Sequence, residues 1–518
     1  MNARRRAGLR ACGVLLAAGV FAVVLPARAE DSFSPAGIAL GELLHRAETA
    51  QGTLAKGAYH VVQRGLAGGE TTLEETVFDS DGFETTATTG DIVSKWGSFH
   101  GQYWNRNPNG FVQLESGSFS QHDPIAIAVR NIGAESSGAK LLGVSSTAPA
   151  DYVVEVTPRD GLDEKRYYDR ETYLLRKTEV RDYDGHLRTA NYDDYRKVFG
   201  RMIPFTQTFH SDFSKEPRRY DTVSYQTVPK SSVNLAVPPS TPLFSLGGRD
   251  SVTIPADFTD RGIIVRMNVG GRGLDLLLDS GSSSIVLNAS VATELGLALH
   301  DKRAESMGGT FVMSDARVND VSIGPLHANT AAISVAPVAD YVNPLERAVG
   351  LLGCDFIASG ALQVDFEKKS LTLYANPPPA LEANGWTQVP IALDRCVPLA
   401  KVTFSGAPGE FILDLGSYDT VLYGHYFSQF GTSTAPAHGD PVINEGSYIG
   451  GDLVRFQEYR MKTMGIGNLL FADAVVSVSL NKRVQARDYD GLIGRTTLSS
   501  FSILFDYAHS RVYLKPTP

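Results

Sequence analysis

The chain repeats itself. An offset of 135 residues, from position 279 to position 414, lays "IIVRMNVGGRGLDLLLDSGSSSIVL" on "PLAKVTFSGAPGEFILDLGSYDTVL" without a gap. Each copy reads as a strand, a Gly-containing turn (Gly270-Gly271 and Gly406), a second strand and then Asp-x-Gly. Downstream, Met307-Gly308-Gly309 corresponds to Ile449-Gly450-Gly451, and Ser322-Ile323-Gly324 to Gly465-Ile466-Gly467. "VGLLGCDFIASGALQVDFEKKSLTLY" then corresponds to "DGLIGRTTLSSFSILFDYAHSRVYLK". Gly353 to Asp365 and Gly494 to Asp506 are both 12 positions. One such match is within chance. Several in the same order predict two duplicated β lobes, at 255–376 and 387–516.

Both copies place a carboxylate inside an apolar run, Asp279 in "LLLDSGSSSIVLN" and Asp414 in "FILDLGSYDTVLY". Taken alone, an Asp before a Gly is a turn former. Their shared register makes them candidate halves of one site.

These residues resemble an aspartic peptidase. Asp279-Ser280-Gly281 resembles the catalytic Asp-Thr/Ser-Gly signature, and "GLLG" (350–353) and "GLIG" (491–494) resemble the hydrophobic-Gly element beneath that turn. The x-Gly-Gly segments sit where the family carries its flaps, and both copies keep one, so the chain resembles a fused pair of retropepsin-like lobes over residues 255–516. The resemblance implies a catalytic dyad of Asp279 and Asp414, with Ser280, Gly281, Gly416 and Ser417 supporting it. It implies flaps at Met307, Gly308 and Gly309 and at Ile449, Gly450 and Gly451, closing over an extended peptide. Two close carboxylates hold one proton between them; the ionised member activates a water and the protonated one donates to the scissile carbonyl. Such chemistry needs no metal or cofactor, and a fused pair has no need to dimerise. The second signature departs from the pattern: it is Asp414-Leu415-Gly416, and Leu415 has no hydroxyl to join the hydrogen-bond lattice between the loops. Ser417, one step past the Gly, is the candidate substitute.

The rest of the chain adds context. At 518 residues it exceeds a single core. Residues 1–29 carry an Arg-rich start, an apolar run from Val14 to Leu25 too short to span a bilayer comfortably, and Ala27-Arg28-Ala29. They read as a secretory signal peptide, which predicts a periplasmic or secreted protein. The formal net charge is −9; without the five arginines of residues 1–29, which include no acid, it is −14. That acidity argues against a nucleic-acid partner. Residues 30–245 begin with an amphipathic helix, "SPAGIALGELLHRAETAQG", followed by period-two runs broken at Asn109-Gly110 and Asp184-Gly185. They predict a long, curved antiparallel sheet or half-barrel with a covering helix. The meander "YYDRETYLLRKTEVRDYDG" resembles the periplasmic lipoprotein-carrier type, which implies lipid or lipoprotein contact. Residues 229–255 read as a linker.

The fold class expected is therefore mainly β, with this sheet ahead of two tandem acid-protease lobes. Cys354 and Cys396 could pair, but two buried thiols are the favoured reading. Asp365 and Asp506 match across the repeat but read as structural turn residues. Gly270-Gly271-Arg272-Gly273 lacks the following helix of a phosphate loop, and Ser282–Ser284 lack a nucleophile elbow. The leading expectation is an aspartic endopeptidase acting on peptide or protein substrates. The alternative is a non-catalytic peptide- or lipid-binding protein that keeps the bilobal cleft.

Overall fold

Alternating side chains and frequent Gly, Asn and Asp reversals give, among the described residues, three sheets in the computed structural model of the chain. The structure describes residues 32–114, 138–156, 163–181, 186–212, 214, 216–306, 310–338, 347–433, 443–447, 453–479 and 489–517. The Asp184-Gly185 turn and both x-Gly-Gly segments lie outside them.

Among the described residues the N-terminal sheet has fourteen strands, running from Phe33–Ser34 at one edge to Val112–Leu114 at the other. Neighbouring strands pair antiparallel, mostly in chain order, but Phe33–Ser34 lies beside Ala139–Ser145 and the last strand, Arg218–Val228, returns to lie beside Ala58–Ala67. The expected helix spans Leu40–Gln51 and ends at Gly52, whose φ of 70° suits a residue without a Cβ. It buries Leu43 and Ala47 against Val154, Val156 and Tyr168.

The other two sheets carry the repeat. One orders its strands Ala256–Thr259, Gly262–Val269, Arg272–Leu278, Gly350–Leu352, Ile285–Asn288, Leu326–Ala336, Thr310–Ile323 and His300–Ser306. The other contains Thr387–Asp394, Val397–Phe404, Ala407–Leu413, Gly491–Ile493, Val421–Leu422, Leu469–Ser479, Leu453–Ile466 and Ile443–Ser447 in the corresponding order. In each, one pairing ahead of the candidate Asp is parallel: Leu277 opposite Leu351, and Ile412 opposite Leu492. The halves are joined where Ala361–Asp365 pairs with Phe501–Asp506, so that Leu362 faces Phe505 and Val364 faces Ile503. One apolar cluster runs through both and includes Leu278, Leu413 and Leu415. Asp365 and Asp506 hold turns, through Lys368 and through His509 and Arg511.

Two features differ from the sequence reading. A strand, Ser251–Ile254, pairs with Ser370–Tyr374 inside the stretch read as linker, and Phe244 just ahead of it packs edge-on against Phe356. Cys354 and Cys396 are not free thiols: they form a disulfide between the short helix Cys354–Ile357 and a turn of the second half. Spacing of 42 residues gave no hint of this, because the two halves bring them together only in three dimensions.

The N-terminal sheet docks on the first half through polar side chains. The Asn109 amide donates to Ala332 O and accepts Ala332 N–H, both at 2.8 Å, as another strand would. Asn107 Nδ2 donates to Asp355 Oδ1 at 2.9 Å. Glu70 accepts from the Asp301 N–H at 2.6 Å and meets His300 Nδ1 at 2.5 Å; Arg218 pairs with Asp301 at 2.8 Å.

Candidate active site

The two candidate carboxylates come from equivalent places. Asp279 follows the strand Arg272–Leu278 and Asp414 follows Ala407–Leu413. Each donates its backbone N–H to the hydrophobic-Gly strand of its own half: Asp279 to Leu352 O and Asp414 to Ile493 O, both at 3.0 Å. Each then receives an N–H on its side chain, from Gly281 to Asp279 Oδ1 and from Gly416 to Asp414 Oδ1, both at 2.8 Å. The loops close alike too, with Cys354 N–H on Ser282 O at 3.0 Å and Arg495 N–H on Ser417 O at 2.9 Å.

The glycines explain why the halves can meet. A Cβ built on Gly281 would fall 2.8 Å from the Asp414 carboxylate carbon, and one on Gly416 would collide with the Asp279 carboxylate. Each loop thus presents a bare α-carbon to the opposite carboxylate. The two carboxyls hydrogen-bond to each other and are nearly inaccessible to solvent, at 4% and 8% exposure.

Burial, and then the Asp414 charge, push the Asp279 carboxyl well above the ordinary carboxylate range. Burial also raises Asp414, but N–H groups of Ser417, Gly416 and Gly281 and the hydrogen bond with Asp279 oppose it. Burial and the closeness of the two charges favour one proton held between them, and the pair titrates as a unit. Such a pair can polarise a carbonyl from one side and deprotonate a water from the other.

The bridge between the loops is one-sided. The Ser280 hydroxyl donates to Leu413 O at 2.7 Å and accepts the Leu415 N–H at 2.8 Å. Leu415 has nothing to return and points into the apolar core. Ser417 does not replace the missing arm with its hydroxyl, which donates to Asp419 O at 3.1 Å within its own loop, as Ser282 does to Ser284 O. Its contribution is its backbone N–H, 3.1 Å from Asp414 Oδ1. Residues 307–309 and 449–451, the expected flaps, lie outside the described residues; the strands leading to them are His300–Ser306 and Thr310–Ile323, and Ile443–Ser447 and Leu453–Ile466.

Residues 265–356 match the aspartyl protease family. This span includes Asp279 and the first hydrophobic-Gly element. No curated protein matches the chain. Among solved structures, an aspartic proteinase from Irpex lacteus is similar at 16% identity over 52% of this chain and 97% of its own, with a TM-score of 0.34. A LolA superfamily protein from Nitrosomonas europaea is similar at 16% identity over 38% of this chain and 98% of its own, with a TM-score of 0.31. Basic 7S globulin from soybean is similar at 12% identity over 52% and 95%, with a TM-score of 0.33.

Sequence reasoning missed Tyr507. It follows Asp506 on a turn, is buried, and its hydroxyl has no partner among the described residues. Burial first, then the charges of Asp279 and Asp414, hold it un-ionised. The sequence marks the position only as an aromatic after a matched Asp.

Proposed function

We propose that the protein is an aspartic endopeptidase of the periplasm or extracellular space, with Asp279 and Asp414 as its dyad. The observation that carries this reading is the pair of buried, mutually hydrogen-bonded carboxyls on equivalent loops. A water between them attacks the scissile carbonyl, with the ionised carboxylate of the pair taking its proton and the protonated one donating to the carbonyl oxygen. Two fused retropepsin-like lobes complete the cleft in one chain, and the x-Gly-Gly segments serve as flaps. The Cys354–Cys396 disulfide fits an oxidising compartment, in keeping with the secretory leader.

For the N-terminal sheet we favour docking over lipid carriage. Glu164 and Arg166 lie on the same face of their strand as Tyr168, which the helix covers, and form a buried ion pair at 2.6 Å. A charged pair there is poor lining for an acyl chain. Leu415 favours one other reading, a peptide-binding protein without turnover.

The test is cleavage of a peptide library by the purified protein from pH 3 to 8, beside Asp279→Asn and Asp414→Asn. Cleavage that either substitution abolishes supports the dyad. Peptide binding with no cleavage at any pH, by folded protein, would establish the binding protein instead.

A further inference from the structure

A cavity of 320 Å³ lies between the N-terminal sheet and the first half. Ser94, Asn105 and Asn109 line it from the sheet, Ser283 and Ser284 from the loop that carries Asp279, and Arg395 from a turn of the second half. Its size is at the lower end of small-ligand sites. Three pieces of the chain far apart in sequence build it, one from the N-terminal sheet and one from each half of the repeat.

The chain bounds its distance from the dyad. Gly281 faces the Asp414 carboxylate, and Ser283 is two residues further on. Two residues span at most roughly 7 Å. The cavity wall therefore begins about two residues' reach from the reacting centre, close enough for the same extended peptide to enter both.

Its chemistry is mainly neutral and polar. The acidic groups that face it are engaged: Asp315 by Arg303 at 2.9 Å and by the Ser334 hydroxyl at 3.1 Å, Asp355 by Asn107 at 2.9 Å and the Ile285 N–H at 3.0 Å. Arg303 is held by Asp301 and Asp315, and Arg395 lies 3.7 Å from Asp394. The arginines are each met by a carboxylate and Asp355 by neutral donors, so no charged group of this wall is left without a polar partner. Ser94, Asn105 and Ser283 remain as short neutral donors and acceptors, backed by the apolar side chains of Met313 and Ile333. Small side chains bearing a hydroxyl or amide match this lining, because a site built to hydrogen-bond such a group discriminates strongly against its absence.

We propose that this cavity is an extended subsite, supplied in part by the N-terminal sheet, that takes a neutral polar side chain (Ser, Thr, Asn or Gln) about two to four residues from the scissile bond. The proposal rests on the peptidase reading. It assigns the N-terminal sheet a share in substrate choice.

The experiment compares peptide pairs that differ only by Asn or Ala at each position flanking the cleaved bond, using full-length protein and the variants Asn105→Leu and Ser94→Leu. The ratio of kcat/KM within each pair is the readout, so a general loss of activity cancels. At one position the wild type should favour Asn by about tenfold or more, and both variants should bring that ratio close to one. A wild type indifferent at every position, or variants that keep the full preference, overturns the subsite. If the wild type cleaves nothing, the peptidase reading falls by itself. Fluorescence anisotropy with the same labelled pairs then decides the subsite. A variant-sensitive Asn preference in Kd supports it as a binding pocket, and equal Kd values overturn it.

Discussion

Ser280 is the side chain on which the meeting of the two loops depends most. Its hydroxyl satisfies a buried carbonyl, Leu413 O, and a buried N–H, that of Leu415. Both belong to the loop that presents Asp414. Ser280→Ala leaves both groups unpaired, because water has little access and Leu415 cannot substitute. Each orphaned group costs about 1–3 kcal/mol, so the pair is expected to cost about 3 kcal/mol after partial relaxation. For a unit of this size, 1 kcal/mol moves Tm by roughly 2–4 °C, which gives a fall of roughly 6–12 °C. Catalysis should suffer more than binding, since a shift of about 1 Å between reacting groups can cost a hundredfold. The expected signature is a kcat at least about tenfold lower with KM little changed, in melts and steady-state assays on the same preparation. Ser280→Thr keeps the hydroxyl and should keep most of both. Ser417→Ala is the internal control: it removes a hydrogen bond closed within its own loop and should cost only about 1 kcal/mol. Equal effects of Ser280→Ala and Ser417→Ala, or no effect of Ser280→Ala on Tm and kcat, would refute the one-sided bridge.

Three further outcomes follow from buried groups. Burial pushes Asp355 up to about 6, against hydrogen bonds from Asn109, the Ile285 N–H and Asn107. The folded protein thus holds this proton more tightly than the unfolded chain, and that stabilisation is complete below about pH 4 and lost as pH rises to about 6. It amounts to about 3 kcal/mol, so the Tm of Asp355→Asn should gain on wild type across this interval; a pH-independent difference would contradict the assignment. Tyr507→Phe removes a buried hydroxyl without a described partner and should raise Tm by a few degrees, whereas a fall would reveal a partner on that hydroxyl. Reducing the Cys354–Cys396 disulfide releases a loop of 42 residues, worth about 4 kcal/mol on the chain-entropy account, and should lower Tm by roughly 8–16 °C relative to oxidised protein.

The repeat was legible because each half must bury the same strands in the same order to place one Asp at the same point. Gly281 and Gly416 were legible for a related reason: the opposite carboxylate fills the space where their Cβ would be. Side-chain identity also announced the defect at Leu415, though not that Ser417 would turn its hydroxyl into its own loop. The contacts between units left no such trace. Asn109 reads as a turn residue, and it sits in one with Asn107: the Asn107 side-chain oxygen accepts the Asn109 and Phe111 N–H groups. The same two side chains also dock the sheet, reaching partners 248 and 223 residues away, and turn chemistry hides that second use. The disulfide was hidden differently. Cys354 aligns with Arg495 and Cys396 with Arg261, so the repeat shows unlike residues where the structure shows like contacts. On one side the helix after the hydrophobic-Gly strand is tied to the other half by Cys354–Cys396; on the other, Arg495 Nη2 donates to Asp260 O at 3.2 Å. The stronger tie and the Ser280 bridge both extend from the first half to the second. The second half, with Leu415 in its loop, is thus braced by its neighbour, and the asymmetry that reads as decay in the sequence is compensated in the fold by contacts from the first half.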